Sequence, residues 1–155
     1  MASLRFKLSS SDLIDGELIN AHLLARDNQV VPGTISLSDN LITVQTSSEN
    51  NVALSLLFDA GNSGRLMLQT GILPPREEPY MLVQELVRHR IKLFLDMCEN
   101  WSLFYLSDDH PAVQKWEASR IVFTDSLVAQ SDEEATALAR QALEQAISAT
   151  EWLAL

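Results

Sequence analysis

A change in hydrophobic periodicity near the middle of the chain most constrains its fold. Before Pro74-Pro75, apolar and polar residues alternate with a period of two, the pattern of half-buried strands. After the two prolines, apolar residues recur with a period of about 3.6, the pattern of amphipathic helices. We therefore expect a single domain over residues 1–155, with a β-rich half at 1–75 and a helical half at 76–155.

The first half predicts about six short strands. Leu4, Phe6 and Leu8 share one face of the first strand. The dipeptide Asp39-Asn40 separates two alternating segments and predicts a two-residue hairpin turn, because Asp and Asn tolerate positive φ. The strands follow one another too closely for crossover helices, so an antiparallel sheet or sandwich is expected.

The second half predicts three helices. Proline suits the first turn of a helix, and an Asp/Glu-rich start after Ser131 predicts a capping box. The predicted helices are 79–100, 111–129 and 131–153. Together the two halves predict an α+β fold in which the sheet or sandwich packs with the three helices.

Size and charge exclude several classes of function. A chain of 155 residues can bury one core without disulfides or metals. The net charge of −10, with no basic patch, argues against binding to nucleic acids or anionic membranes. No apolar run reaches the length of about 18 residues that a membrane span needs. Because no apolar leader follows Met1, a cytoplasmic location is the default expectation.

The familiar catalytic and metal-binding motifs are absent from the sequence. There is no G-x-S-x-G, P-loop or G-x-G-x-x-G, and the three histidines show no metal-ligand spacing. Cys98 is the only cysteine and is expected to be a buried, unreactive thiol. No pair stands out among the 21 acidic residues, and Glu85 is expected on a solvated helix face. We therefore expect a protein that is not an enzyme and needs no cofactor or metal.

Two arginines fall on apolar helix faces. Arg90 lies near the middle of the apolar arc of the first helix, and Arg120 shares a face with Trp116 on the second. A buried guanidinium must be paired, since burying it bare is very costly. We expect Arg90 to be largely buried with at least two partners. Either it holds loop carbonyls or an acid at the sheet–helix junction, or it lines a pocket for an anionic or hydroxylated ligand.

The aromatic residues are distributed unevenly. All three tryptophans and both tyrosines lie in the helical half, so the sheet is a poor platform for stacking sugar rings. The segment 101–105 is either an apolar plug at a helix end or an aromatic binding surface. The candidate ligand-binding residues are Trp101, Tyr105, Trp116 and Arg90.

Five short segments and the acidic, alanine-rich last helix carry a family resemblance. The segments are Gly64–Thr70, Leu73-Pro74, Glu78–Tyr80, Glu85–Arg90 and Trp101–Phe104. From about Arg5 onward, the chain resembles the N-terminal region of planctomycete proteins related to family 10 glycoside hydrolases, often labelled endo-1,4-β-xylanase-like. In those proteins, such a region precedes a (β/α)8 barrel that carries two catalytic glutamates. A barrel needs about 250 residues, so no catalytic residue is carried over to this chain.

The resemblance implies a non-catalytic N-terminal accessory domain that supports, positions or oligomerises a following catalytic barrel. The alanine face of the third predicted helix and its apolar end at 152–155 suit packing against a neighbouring domain. The alternative is a carbohydrate-binding module for a plant-type polysaccharide such as xylan. The expected partners are therefore a following glycoside hydrolase-like domain, a second copy of the chain in a homodimer, or a polysaccharide.

Overall fold

The computed structural model describes residues 2–103 and 105–154 and has the predicted α+β fold. The chain divides into two compact units, Met1–Leu86 and Val87–Leu155, called here the β unit and the helical unit. The division falls inside the first helix, whose opening turn belongs to the β unit.

The described part of the β unit has eight strands, where the sequence predicts about six. They are β1 (Ala2–Lys7), β2 (His22–Leu24), β3 (Val30–Val31), β4 (Thr34–Ser38), β5 (Leu41–Thr46), β6 (Ala53–Asp59), β7 (Arg65–Gln69) and β8 (Tyr80–Met81). They form two four-stranded sheets, with the orders β4-β5-β1-β8 and β3-β2-β6-β7.

The turn between β4 and β5 confirms the hairpin prediction. Asp39 and Asn40 have φ angles of 51° and 59°, and they connect the paired residues Ser38 and Leu41. Two central residues with positive φ give a turn whose twist matches that of the flanking strands.

The segment after Pro79 differs from the prediction of a helix. Tyr80 and Met81 form β8, which pairs in parallel with Phe6 and Lys7 of β1, and the helix begins only at Leu82. The first sheet is therefore mixed rather than purely antiparallel. A parallel pair is allowed here because its two strands are far apart in the sequence and need no tight turn.

Gly33 lies where the chain passes from β3 in one sheet to β4 in the other. A Cβ atom at this position would lie 2.4 Å from Leu23 Cδ1 and 2.9 Å from the carbonyl oxygen of Gln45. Leu23 belongs to β2 in the second sheet and Gln45 to β5 in the first. The absence of a side chain at Gly33 therefore lets the two sheets approach each other closely.

The three helices are α1 (Leu82–Asn100), α2 (Pro111–Leu127) and α3 (Asp132–Leu153). The Ser131 hydroxyl accepts a hydrogen bond from the backbone N–H of Glu134 at 3.1 Å, which is one half of the predicted capping box. The other half differs, because the Glu134 carboxylate accepts from the N–H of Gln130 at 3.3 Å and not from Ser131. Pro111 occupies the first turn of α2, as predicted. α3 packs closely along α2, because its buried face is made mostly of alanine.

Candidate binding surface

A small apolar cluster organises one end of the helical unit. Its members are Phe94, Cys98, Ala112, Ala149 and Leu153, with Met97, Leu103, Leu106 and Trp116 packed against them. These residues come from the last turns of α1, the start of α2, the last turns of α3 and the α1–α2 connection. The end of α1, the start of α2 and the end of α3 therefore lie at the same end of this unit.

The way α1 terminates places Trp101 at the surface. The N–H of Leu103 donates to the carbonyl of Cys98 at 2.8 Å, and the N–H of Ser102 donates to Glu99 at 3.3 Å. Ser102 has a φ of 55°, so the three features together make a Schellman motif. The motif directs Leu103 to the apolar cluster, whereas Trp101 stays 50% exposed.

Three aromatic side chains are exposed at this end of the helical unit. Trp101 follows α1, Tyr105 lies in the connection to α2, and Trp152 lies in the last turn of α3. Their exposed fractions are 50%, 78% and 42%. We call these three residues the aromatic end. Exposed apolar patches on a protein in water are candidate interaction surfaces.

The connection after α1 contains both packed apolar side chains and exposed aromatic ones. Leu103 and Leu106 pack against the apolar cluster, whereas Trp101 and Tyr105 are exposed to solvent. Phe104, which the sequence also places in this segment, lies outside the described residues. Trp152 is not among the predicted site residues, because only the packing of α3 with α1 and α2 places the end of α3 at this end of the unit.

The surroundings of the aromatic end are acidic. The exposed carboxylates of Glu99, Asp108, Asp109 and Glu151 belong to the same helix ends and connection. The sequence has no lysine or arginine in 99–110 or 150–154. The carboxyl termini of α1 and α3 add the negative ends of two helix dipoles, against the single positive end at α2.

Trp116, a predicted ligand-binding residue, is engaged by the protein itself. Phe94 stacks on its ring with a centroid distance of 5.2 Å, and its Nε1 donates to the carbonyl of Ile91 at 3.2 Å. The Arg120 guanidinium lies 4.7 Å from the ring centroid and pairs with Glu117 at 3.0 Å. Arg120 is therefore exposed rather than buried, and Trp116 braces α1 against α2.

Arg90 is half-buried rather than largely buried, and it joins α1 to α3. Its Nε and Nη2 donate to one hydroxyl oxygen, Thr150 Oγ1, at 3.1 and 2.8 Å. The Thr150 hydroxyl in turn donates to the carbonyl of Ile147 at 2.8 Å. The hydrogen-bond acceptor is thus a helix hydroxyl rather than loop carbonyls, and the acid near Arg90 is Glu151 of α3. Burial lowers the pKa of Arg90, and the negative charge of Glu151 opposes that shift.

Glu85 and Cys98 are two buried polar or reactive groups of α1. Glu85 is only 6% exposed, so the expectation of a solvated face was wrong. Cys98 is free and buried, as expected, and burial raises the pKa of its thiol. A thiol with a raised pKa carries less thiolate and reacts slowly.

Tyr80 fastens the segment that leads from β7 to β8. Its hydroxyl donates to the carbonyl of Pro74 at 2.5 Å, and the Arg76 guanidinium lies 3.7 Å from its ring centroid. Burial raises the pKa of Tyr80; the positive charge of Arg76 opposes this rise and the negative charge of Glu85 adds to it.

A polar cleft of about 740 Å³ lies in the β unit. It is lined by residues from the β2–β3 turn, the β5–β6 connection and the segment after β7: Ala25, Arg26, Asp27, Glu49, Asn50, Asn51 and Ile72. The Asp27 carboxylate accepts from the N–H of Gln29 at 3.2 Å. The side chains of Arg26, Glu49 and Asn51 make no hydrogen bond or ion pair with the described part of the chain, so their polar groups are free for a ligand.

Comparison with known proteins gives no family for the chain. No protein-family model, curated protein or solved structure matches it. Within residues 2–103 and 105–154, no group of three His, Cys, Asp or Glu side chains is placed to hold a metal ion. No helix in those ranges is long and apolar enough to cross a membrane.

Proposed function

We propose that this chain is an accessory domain that binds another protein domain through the aromatic end of its helical unit. The observation that carries the proposal is the exposure of Trp101, Tyr105 and Trp152 at one end of that unit. Tryptophan and tyrosine are enriched among the residues that dominate protein–protein binding energies. Their large rings bury much apolar area with few rotatable bonds.

The rings stand on backbone that is already fixed. Trp101 is held by the Schellman motif, and Trp152 lies on a helix that the Arg90–Thr150 hydrogen bonds join to α1. A surface that is ordered before binding loses less conformational entropy when its partner arrives. This arrangement suits a domain that positions a neighbour rather than one that folds around it.

The resemblance to the N-terminal region of family 10 glycoside hydrolase-related proteins suggests a (β/α)8 barrel of that family as the first partner to test. A (β/α)8 barrel of that family is produced as a separate protein and mixed with this chain, and the complex is followed by sedimentation velocity and calorimetry. The Trp101→Ser and Trp152→Ser variants should each weaken binding about tenfold or more, as expected for central aromatic contacts.

Ile121→Ser provides the matched control for these variants. Ile121 is 62% exposed on α2 and does not belong to the aromatic end, so its loss should leave the affinity unchanged. An equal loss of affinity in all three variants, or no complex at about 100 μM protein, would contradict the proposal.

The polar cleft of the β unit favours carbohydrate binding as a second candidate function. Its guanidinium, carboxylate and amide groups can donate to and accept from the hydroxyls of a sugar, and Ile72 offers apolar contact. The test is an NMR titration with xylan, glucan, mannan and pectic oligosaccharides. Saturable shifts at Asn50 and Asn51 that disappear in Asn51→Ala, but persist in the surface control Gln45→Ala, would support it.

The same titration separates the two surfaces. Saturable shifts at Trp101 and Tyr105 instead would make the aromatic end a sugar-stacking site. Unchanged spectra at millimolar sugar would remove carbohydrate binding from both surfaces.

A further inference from the structure

We propose that the aromatic end binds a basic protein segment in which lysine or arginine side chains accompany a large apolar side chain. This inference rests on the proposed docking function and adds the chemistry of the partner. It combines three features of one surface: exposed rings, acidic surroundings and the orientation of the helix ends.

Charge favours a cationic partner. The carboxylates of Glu99, Asp108 and Asp109 are exposed at this end of the unit, and 99–110 contains no lysine or arginine to neutralise them. Glu151 is exposed at the same end, and its charge already acts on Arg90. The negative dipole ends of α1 and α3 point the same way. Such potentials act over a Debye length of about 8 Å at physiological salt, which is enough to orient an approaching segment.

The rings themselves also favour a cation. The faces of tryptophan and tyrosine carry negative electrostatic potential and attract guanidinium and ammonium groups. The helical unit makes this contact twice internally, with Arg120 over Trp116 at 4.7 Å and Arg88 over Phe123 at 5.2 Å. Trp101 and Tyr105 offer the same chemistry to an external partner.

The same charges disfavour other molecules that could bind at the aromatic end. A second copy docking through the same surface would bring its own four carboxylates against these four. Anionic lipids and nucleic acids would be repelled in the same way. A basic, apolar-anchored segment is the occupant that satisfies both the rings and the acids.

The test uses two synthetic peptides without tryptophan that share one pattern of leucine and phenylalanine. One carries lysine and arginine at its polar positions, and the other carries glutamate. Binding is followed through the indole N–H signals of Trp101 and Trp152 in the intact chain. The basic peptide should shift both signals and bind at least about tenfold more tightly than the acidic one, and its affinity should fall several-fold between low and high salt.

Two charge variants give a matched comparison. Glu99→Gln with Asp108→Asn removes two exposed carboxylates at this end of the unit and should weaken binding of the basic peptide several-fold. Asp125→Asn with Glu133→Gln removes two exposed carboxylates near the end of α2 and the start of α3, at the opposite end of the unit, and should leave binding unchanged. Equal effects of the two pairs would overturn the inference.

The outcomes distinguish this inference from the docking function. If the acidic peptide shifts Trp101 and Trp152 as strongly as the basic one, the basic-partner inference is overturned and docking stands. If neither peptide nor the barrel perturbs these signals, both proposals fail. Concentration-dependent self-association that Trp152→Ser abolishes would identify a second copy as the occupant and would also overturn the inference.

Discussion

At the scale of single residues, Gly33 lies where a side chain would clash with both sheets of the β unit. A Cβ added there would lie 2.4 Å from Leu23 Cδ1 and 2.9 Å from the Gln45 carbonyl oxygen. Leu23 is buried, and the carbonyl is part of the backbone, so neither atom can move away cheaply. We expect Gly33→Ala to lower the free energy of unfolding by about 1–3 kcal/mol, measured by chemical denaturation.

Gly71→Ala is the control for that substitution. A Cβ at Gly71 would meet no heavy atom within 4 Å, and Gly71 is not among the glycines with positive φ. Its effect should stay within about 0.5 kcal/mol of zero. Similar losses at both glycines would contradict the clash argument, because alanine reduces the freedom of the unfolded chain and by itself should stabilise the fold.

Thr150 is the second residue whose contribution to stability can be measured, through its hydroxyl group. Thr150→Val keeps the shape of the side chain but removes the acceptor of two Arg90 N–H groups. We expect a loss of about 1–3 kcal/mol in the free energy of unfolding, because a half-buried guanidinium is left without its acceptor. A double-mutant cycle with Arg90→Met should give a coupling of at least about 0.5 kcal/mol.

Thr124→Val tests whether that loss is specific. Thr124 is an exposed residue of α2 whose hydroxyl donates to the carbonyl of Arg120. Its replacement should change stability by no more than about 0.5 kcal/mol. A zero coupling in the cycle would mean that Arg90 does not join α1 to α3 energetically.

At the scale of elements, the end of α1 places a serine in a backbone conformation that serine disfavours. Ser102 occupies the left-handed position of the Schellman motif with a φ of 55°, where glycine is usual. Ser102→Gly should raise the free energy of unfolding by about 0.5–1 kcal/mol, because the relief of strain exceeds the added freedom of the unfolded chain. Thermal and chemical denaturation measure this gain.

Ser107→Gly is the comparison within the same connection. Ser107 is exposed and is not among the residues with positive φ, so glycine there can only add freedom to the unfolded chain. This variant should be neutral or slightly less stable. A loss of stability in Ser102→Gly would contradict the strain argument.

The elements that the sequence predicts well are those with local signals. The Asp39-Asn40 turn, the start of α2 at Pro111 and the cap of α3 at Ser131 each depend on residues a few positions apart. The predicted start of α1 at Pro79 is wrong, because Tyr80 pairs with Phe6, more than seventy residues earlier in the sequence. Local sequence preferences carry no information about such a distant pairing, so they favour helix where β8 forms.

At the scale of the whole molecule, the candidate site could be predicted only in part. Trp101 and Tyr105 stand out in the sequence as aromatic residues beside a helix end. Trp152 and its acidic neighbour Glu151 join them only because α3 packs against the ends of α1 and α2. The polar cleft had no signal, since it is assembled from three loops whose residues are ordinary for loops.

The stability of the whole chain should depend on pH through His89. Burial lowers the pKa of His89, the positive charges of Arg90 and Lys92 lower it further, and Asp96 opposes them. The unfolded chain then binds a proton at a higher pH than the folded chain does. The free energy of unfolding is therefore highest above the ordinary histidine pKa of about 6.5 and falls as the pH drops from there toward the lowered folded value.

His89→Gln isolates this contribution, because glutamine keeps polarity but does not titrate. Chemical denaturation at intervals between about pH 7.5 and 5.5 should show a smaller loss of stability in the variant than in the natural chain, since most carboxylates stay ionised in that window. An NMR titration of the His89 ring should have its midpoint below about 6.5. A midpoint at or above that value, with equal pH dependence in the two proteins, would contradict both the lowered pKa of His89 and its contribution to stability.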